Sequence, residues 1–161
     1  MNLIKKVLLA LSGGVDSMTL LDCLYHYRHQ LGIDLVLAHV NHHQRIEADQ
    51  EERGIQAIAE AKHLPLKVAH FSGPFSESQA RQFRYDFFEK KVMKEEACSA
   101  LVTAHHMDDQ AETILMRLIR GSRPRHLRGI PLKQPFGQGV LIRPLLHFKK
   151  KGFSRNFSFR G

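Results

Sequence analysis

The sequence predicts an α/β fold: a doubly wound parallel sheet of about five strands with helices on both faces. Two observations carry this. Short apolar runs alternate along the chain with longer amphipathic stretches, and the chemically unusual residues cluster where the apolar runs end. Alternation of this kind implies parallel strands joined by right-handed crossovers. Sheets so built bind ligands in the crevice beyond the carboxyl ends of their strands.

In chain order, the runs at 7–11, 35–40, 66–71 and 100–104 are short and rich in Val, Leu and Ala, and read as buried strands. A fifth strand is expected near 140–143, ended by Pro144. Helices are expected over 15–31, 47–63, 77–96 and 108–120. In the last, Ile114, Leu115, Leu118 and Ile119 fall on one face, and Gly121 stands where a helix stop belongs.

A chain of 161 residues fits one domain able to bury a core. With 43% hydrophobic and 25% charged residues the composition is that of an ordinary globular protein. No apolar run approaches the roughly 18 residues needed to span a bilayer. The stretch after Lys5 and Lys6 stops at Ser12, short of the ~7–15 residues of a signal-peptide core. A cytoplasmic protein without a membrane partner is expected. Cys23 and Cys98 are far apart and form no CxxC pair, so they read as structural thiols. The formal charge of +8 is concentrated at the end: residues 149–161 hold five basic side chains and no acid, while the first 148 residues hold 19 basic and 16 acidic ones. Within that body the basic side chains gather at Arg117, Arg120, Arg123, Arg125 and Arg128.

The loop Ser12-Gly13-Gly14-Val15-Asp16-Ser17 follows the first strand and opens the first helix. Its glycines permit a tight turn and let backbone N–H groups approach an anion. The helix dipole favours negative charge there, and Ser17 adds a hydroxyl. The loop has neither the GxxxxGK[ST] pattern nor the third glycine of a dinucleotide fingerprint. An acid beside a phosphate cradle is repulsive unless a cation bridges them, which makes Asp16 a candidate Mg²⁺ ligand. The plain alternative is a glycine turn capping a helix.

SGGVDS resembles the signature of the ATP pyrophosphatases, which cleave ATP between the α- and β-phosphates to adenylate a substrate. This resemblance implies an adenine nucleotide alpha hydrolase-like fold.

Two further segments follow strand ends. His39-Val40-Asn41-His42-His43-Gln44-Arg45 has three histidines at no standard zinc spacing, and a role in adenine binding or loop packing is expected. His105-His106-Met107-Asp108-Asp109-Gln110-Ala111-Glu112 groups three acids with two histidines. One acid suffices to cap a helix, and a cluster can also complete a Mg²⁺ site, orient an amine nucleophile or accept its proton. On the third helix Glu77, Arg81 and Tyr85 are i,i+4 neighbours. A solvated, salt-bridged face and phosphate or RNA contact by Arg81 or Arg84 are the two readings.

HVNHHQR, the Glu-Ala-Arg-x-x-Arg-Tyr spacing, AHHMDDQAET, LMRLIRGS and LIRPLL, in this order, resemble the tRNA(Ile)-lysidine synthase family over residues 3–148. Thiolating relatives with SGGxDS use paired or clustered cysteines, which this chain lacks. The resemblance implies ATP-dependent ligation of lysine to C2 of the wobble cytidine of an isoleucine tRNA with a CAU anticodon. It places ATP on Ser12, Gly13, Gly14, Val15, Asp16 and Ser17 with His39 alongside, and Mg²⁺ at Asp16 and Asp109. It also implies catalytic roles for Asp16, Asp108, Asp109, His106 and Arg81, and implies free L-lysine and the tRNA as partners. Another PP-loop pyrophosphatase and a non-catalytic ATP- or RNA-binding fragment are the rival readings. The oligomeric state stays open, a homodimer included.

The resemblance implies helical and C-terminal tRNA-binding domains beyond the ATP domain, and this chain is expected to lack them. The expected organisation is therefore a PP-loop domain at 1–148 and a basic, irregular tail at 149–161. The lysine run at 149–151 can be encoded by an adenine tract, and residues from about 152 are expected to be out-of-frame translation. Sequencing the gene through those codons tests this, and an intact tract with a genuine stop codon would sink it.

Overall fold

A computed structural model describes residues 5–74, 76–104 and 133–144. Strands β1 (Lys6–Leu11), β2 (Asp34–Asn41), β3 (Leu66–His70) and β4 (Ala100–Val102) lie where the apolar runs place them. Helices α1 (Val15–Leu31), α2 (Ala48–Ala61) and α3 (Glu77–Asp86) lie between them. The expected 77–96 helix is not α-helical throughout: after α3 it continues as a π-helical stretch, Phe87–Met93, and closes with an α-turn, Lys94–Glu96. The expected helix at 108–120, the arginines of 117–128 and the tail from 149 lie outside the described residues.

The sheet has six strands in the order β3-β2-β1-β4-β6-β5, rather than about five. β1 pairs in parallel with β2 and β4, β2 with β3, and β4 with β6 (Gly139–Ile142). The unexpected strand, β5 (Lys133–Phe136), runs antiparallel to β6 at the sheet edge. The sheet is thus mostly parallel with one antiparallel edge. An edge strand tolerates Pro135, which has no N–H for a ladder bond.

Side chains alternate across the sheet, so each strand feeds two cores. On one face Val7, Leu9, Leu35 and Leu37 pack with Leu20 and Leu21 of α1 and Ile55 and Ala59 of α2. On the other, Leu8, Val36, Leu101 and Leu141 pack with Phe88, Val92 and Met93 of the π-helical stretch. The chain changes faces after β3. Gly32, left-handed at φ 63°, ends α1 and turns the chain toward β2, its N–H reaching the carbonyls of Arg28 and His29. Because β1 connects toward β2 on one side while β4 lies on its other side, the strand order reverses between β1 and β4. Their carboxyl ends therefore open a crevice.

Candidate functional site

The glycine loop sits at that crevice. Gly13 has φ 86°, a left-handed conformation suited to glycine. Gly14 precedes α1 in an extended conformation, and no side chain caps the helix start. The turn thus supplies the N-cap residue of α1, Gly14, through its backbone alone. The N-terminus of a 17-residue helix therefore faces the crevice with no side chain bonded across it, a position that favours an anion. The serines shape the loop. Buried Ser17 donates from Oγ to the Gly14 carbonyl at 3.0 Å and accepts from the Ser12 amide at 3.3 Å and the Ser12 hydroxyl at 3.2 Å. Ser12 Oγ in turn accepts the Gly14 N–H at 3.3 Å. Val15, 71% exposed, and Asp16 stand at the loop's rim.

Beside the loop, the end of β2 supplies His39 and Asn41. His39 is buried, and its Nδ1 donates to the Leu11 carbonyl at 2.7 Å, which fixes its tautomer. Buried Asn41 donates from Nδ2 to Asp49 Oδ1 at 2.9 Å and Glu52 Oε2 at 2.7 Å, and its Oδ1 accepts the His43 N–H at 2.8 Å. One amide thereby ties the end of β2 to the first two turns of α2. The loop between them carries His42, His43 and Arg45. His43 reaches Asp49 at 3.1 Å through Nδ1 and His70 at 2.8 Å through Nε2. Arg45 Nη2 bridges both carboxylate oxygens of Glu51, at 3.1 and 3.0 Å.

Two clefts flank these residues. One, of about 370 Å³, is lined by Ser12, His39, Arg45, Glu51, Arg81 and Arg84 among others. The second, of about 340 Å³, lies at the β1/β4 crevice itself and includes Gly14, Asp16, Ser17, Tyr85, Thr103 and Ala104. Ser12, Val40, His42 and Arg84 line both clefts. Burial holds the His42 imidazole below the ordinary histidine range, and the Arg84 guanidinium and His39 push the same way. The shift favours the neutral imidazole, which faces two clefts that also carry arginine charge.

Arg81 does not pair with Glu77 among the described residues; its guanidinium lies 5.4 Å from the Tyr85 ring centroid, with Arg84 5.7 Å from the same ring. Arg143, at the end of β6, is buried and donates to Gln134 Oε1 at 3.2 Å. Burial lowers the proton affinity of Arg84 and Arg143, Tyr85 opposing it in both. Guanidinium groups stay charged through such shifts.

The structure brings Ser12, Gly14, Asp16 and Ser17 to one cleft, and His39 and Arg81 to the neighbouring one. His106, Asp108 and Asp109 lie outside the described residues, immediately after Ala104 at the crevice. Among the described residues no group of three or more His, Cys, Asp or Glu side chains is arranged to hold a metal ion. Sequence reasoning passed over Glu51, Thr103 and the Asn41 hub. Asn41 had a signal: a polar residue ending an apolar strand, followed by Asp49 and Glu52 three residues apart on the next helix. Glu51 and Thr103 had none, since only folding brings them to the loop.

Three comparisons place this geometry. Residues 3–159 match the PP-loop domain family. The chain is similar to tRNA(Ile)-lysidine synthases of Streptococcus gordonii, 61% identical over 155 residues, and Streptococcus sanguinis, 58% over 149 residues. A third, from Streptococcus thermophilus, is 56% identical over 155 residues. These alignments take in 96%, 92% and 96% of the chain but only 36%, 35% and 37% of the relatives, so the chain spans about a third of their length. Among solved structures, the U34-tRNA thiolase NcsA from Methanococcus maripaludis matches with a TM-score of 0.74 at 21% identity, over 96% of this chain and 56% of that one. The FMN adenylyltransferase of Candida glabrata matches at 0.55 and 18%, over 94% and 48%. At such identities these two speak for the fold alone. No helix among the described residues is long and apolar enough to cross a membrane. With the family match running nearly end to end, and SGGVDS forming a glycine turn into α1 at the sheet's switch point, the chain belongs to the PP-loop domain family.

Proposed function

We propose that the chain carries the ATP-binding and adenylating part of a tRNA(Ile)-lysidine synthase. The observation that carries the reading is the start of α1, reached through the glycine turn Ser12–Ser17 with no side-chain cap and opening onto two adjoining clefts. The similarity to three lysidine synthases at 56–61% identity supports the choice within the family.

ATP lies with its phosphates on the Gly13 and Gly14 amides and the Ser12 and Ser17 hydroxyls, and its adenine toward His39. The residues present fit this ligand: the glycine turn and the N-terminus of α1 favour an anion, and Arg81, Arg84 and Arg143 gather around Tyr85. Asp16 and Asp109 are the proposed Mg²⁺ ligands, with Asp108 beside them; the ion would offset triphosphate charge and orient the pyrophosphate leaving group. The C2 carbonyl oxygen of the wobble cytidine attacks the α-phosphorus, the bond to the bridging oxygen breaks, and pyrophosphate leaves. The ε-amine of free lysine then attacks C2, AMP departs with the bonding pair, and Asp109 or His106 takes the amine proton. Reaching that cytosine requires it to be splayed from the anticodon loop of the CAU-bearing isoleucine tRNA.

The test is mass spectrometry of an isoleucine tRNA transcript after incubation with ATP, Mg²⁺ and lysine, beside an Asp16→Ala control. Lysidine formed by the wild type and lost in the variant supports the reading. ATP binding without lysidine would assign the chain to nucleotide binding alone, and absence of both would end it.

A further inference from the structure

The Arg45–Glu51 pair occupies a position that the lysidine-synthase reading leaves without a task. Arg45 sits on the turn entering α2, its carbonyl accepting the Ala48 N–H at 3.1 Å, and Glu51 lies one turn further on. Both line the cleft that begins at Ser12. A side chain on Gly13 would bring its Cβ within 3.2 Å of Glu51 Oε2, so this carboxylate lies directly across the glycine turn. The same oxygen receives Arg45 Nη2 at 3.0 Å. The oxygen that faces Gly13 is therefore one that the guanidinium holds.

That carboxylate is in the wrong place for an enzyme that seats a triphosphate. Two anions at one glycine turn repel each other, and a phosphate chain carries more charge than a carboxylate. Arg45 has donors to spare: Nη2 makes both bonds to Glu51, and Nε and Nη1 have no partner among the described residues. Its side chain is 64% exposed against 28% for Glu51, so it is free to turn. The base of the turn, in contrast, is held by the Asn41 bonds to Asp49 and Glu52.

We infer that Arg45 is a triphosphate-recognising residue: Glu51 holds it over Gly13 in the nucleotide-free protein, and a β- or γ-phosphate oxygen of ATP displaces the carboxylate and takes the guanidinium. Guanidinium groups suit phosphate oxygens as well as carboxylates, so the exchange trades one acceptor for a more highly charged one. The pair thereby discriminates ATP from AMP. It also keeps a cation on pyrophosphate after the α–β bond breaks. The inference rests on the proposed nucleotide site.

The experiment is calorimetric titration of the 161-residue chain with Mg²⁺ and, separately, ATP, inorganic pyrophosphate and AMP. Arg45→Ala is expected to weaken ATP and pyrophosphate ~10-fold or more, the scale of one lost charge-assisted hydrogen bond, with AMP changed less than about twofold. Arg45→Lys restores part of the loss, keeping the charge without the planar fork. Glu51→Gln, which removes the competing charge, tightens ATP. Equal weakening of ATP and AMP, unchanged ATP affinity in Arg45→Ala, or no tightening in Glu51→Gln would overturn the inference while leaving the nucleotide site standing. A wild-type chain that binds none of the three ligands would overturn both.

Discussion

His39 Nδ1 and the Leu11 carbonyl oxygen lie 2.7 Å apart, a buried hydrogen bond that pins the end of β2 to the last residue before the glycine loop. The two residues are also register partners in the β1–β2 ladder. The bond thus fixes where the loop begins relative to the strand that borders the first cleft.

His39→Leu should remove this side-chain bond from a carbonyl that the β1–β2 ladder also pairs, at a cost of about 0.5–1.5 kcal/mol. Urea unfolding of wild type and variant measures it. ATP affinity should fall alongside, because the origin of the loop loses its anchor. A variant as stable as the wild type would show that water or another donor replaces the imidazole.

Gly13→Ala tests the turn itself. At φ 86° a Cβ is strained by roughly 1–3 kcal/mol. The new methyl would also press on Glu51 Oε2, the end of a flexible side chain that can yield. The melting temperature should therefore drop by the backbone cost. ATP binding should weaken as well, because the turn can no longer hold both amides toward the ligand. Unchanged melting would mean that the loop relaxes to negative φ in the variant.

These two residues mark how far the sequence could be read. The loop was legible because it is contiguous: glycines, serines and an acid in six residues after an apolar run state a chemistry on their own. Strands β1, β2 and β4 were legible for a related reason, since the buried middle of a parallel strand is a run of Val, Leu and Ala, and β3 still shows Leu66, Val68 and Ala69. β5 was not, because Lys133-Gln134-Pro135-Phe136 is short, polar and broken by proline, and becomes a strand only when β6 lies beside it. The π-helical stretch was hidden for another reason: Phe87–Met93 keeps the composition of a helix, and one changed hydrogen-bond step leaves no mark on residue types. Glu51 reaches Gly13 from 38 positions away, a proximity that no spacing rule supplies.

Glu96 gives a pH-dependent prediction at the opposite end of the sheet. Hydrogen bonds from Lys6, at 3.2 Å, and Lys67, at 3.3 Å, hold its carboxyl below the usual glutamate range. A depressed folded-state value means that the contribution is complete above the unfolded-state value and is lost as pH falls through the folded one. Glu96→Gln should therefore match wild-type stability more closely at low pH than at pH 7. Thermal melts across the acid range check this. A gap between the two proteins that stays constant with pH would show that the lysines do not favour the charged form.

Asn41→Asp probes the hub that holds α2 to β2. The amide donates to both Asp49 and Glu52 while 1% exposed, so the substitution sets a third carboxyl, stripped of both N–H donors, between two existing ones. A buried carboxyl within hydrogen-bonding distance of two others is driven toward its protonated form. The variant should lose several kcal/mol at pH 7, on the order of a broken buried network. The deficit should narrow as pH is lowered, since protonating the added carboxyl removes the repulsion and restores one donor. Because Arg45 stands on the turn between Asn41 and α2, loosening the hub should also weaken ATP more than AMP. Chemical denaturation at several pH values, with parallel ATP and AMP titrations, separates the two effects. A deficit independent of pH would mean that the network is held by packing rather than by the amide's two donors.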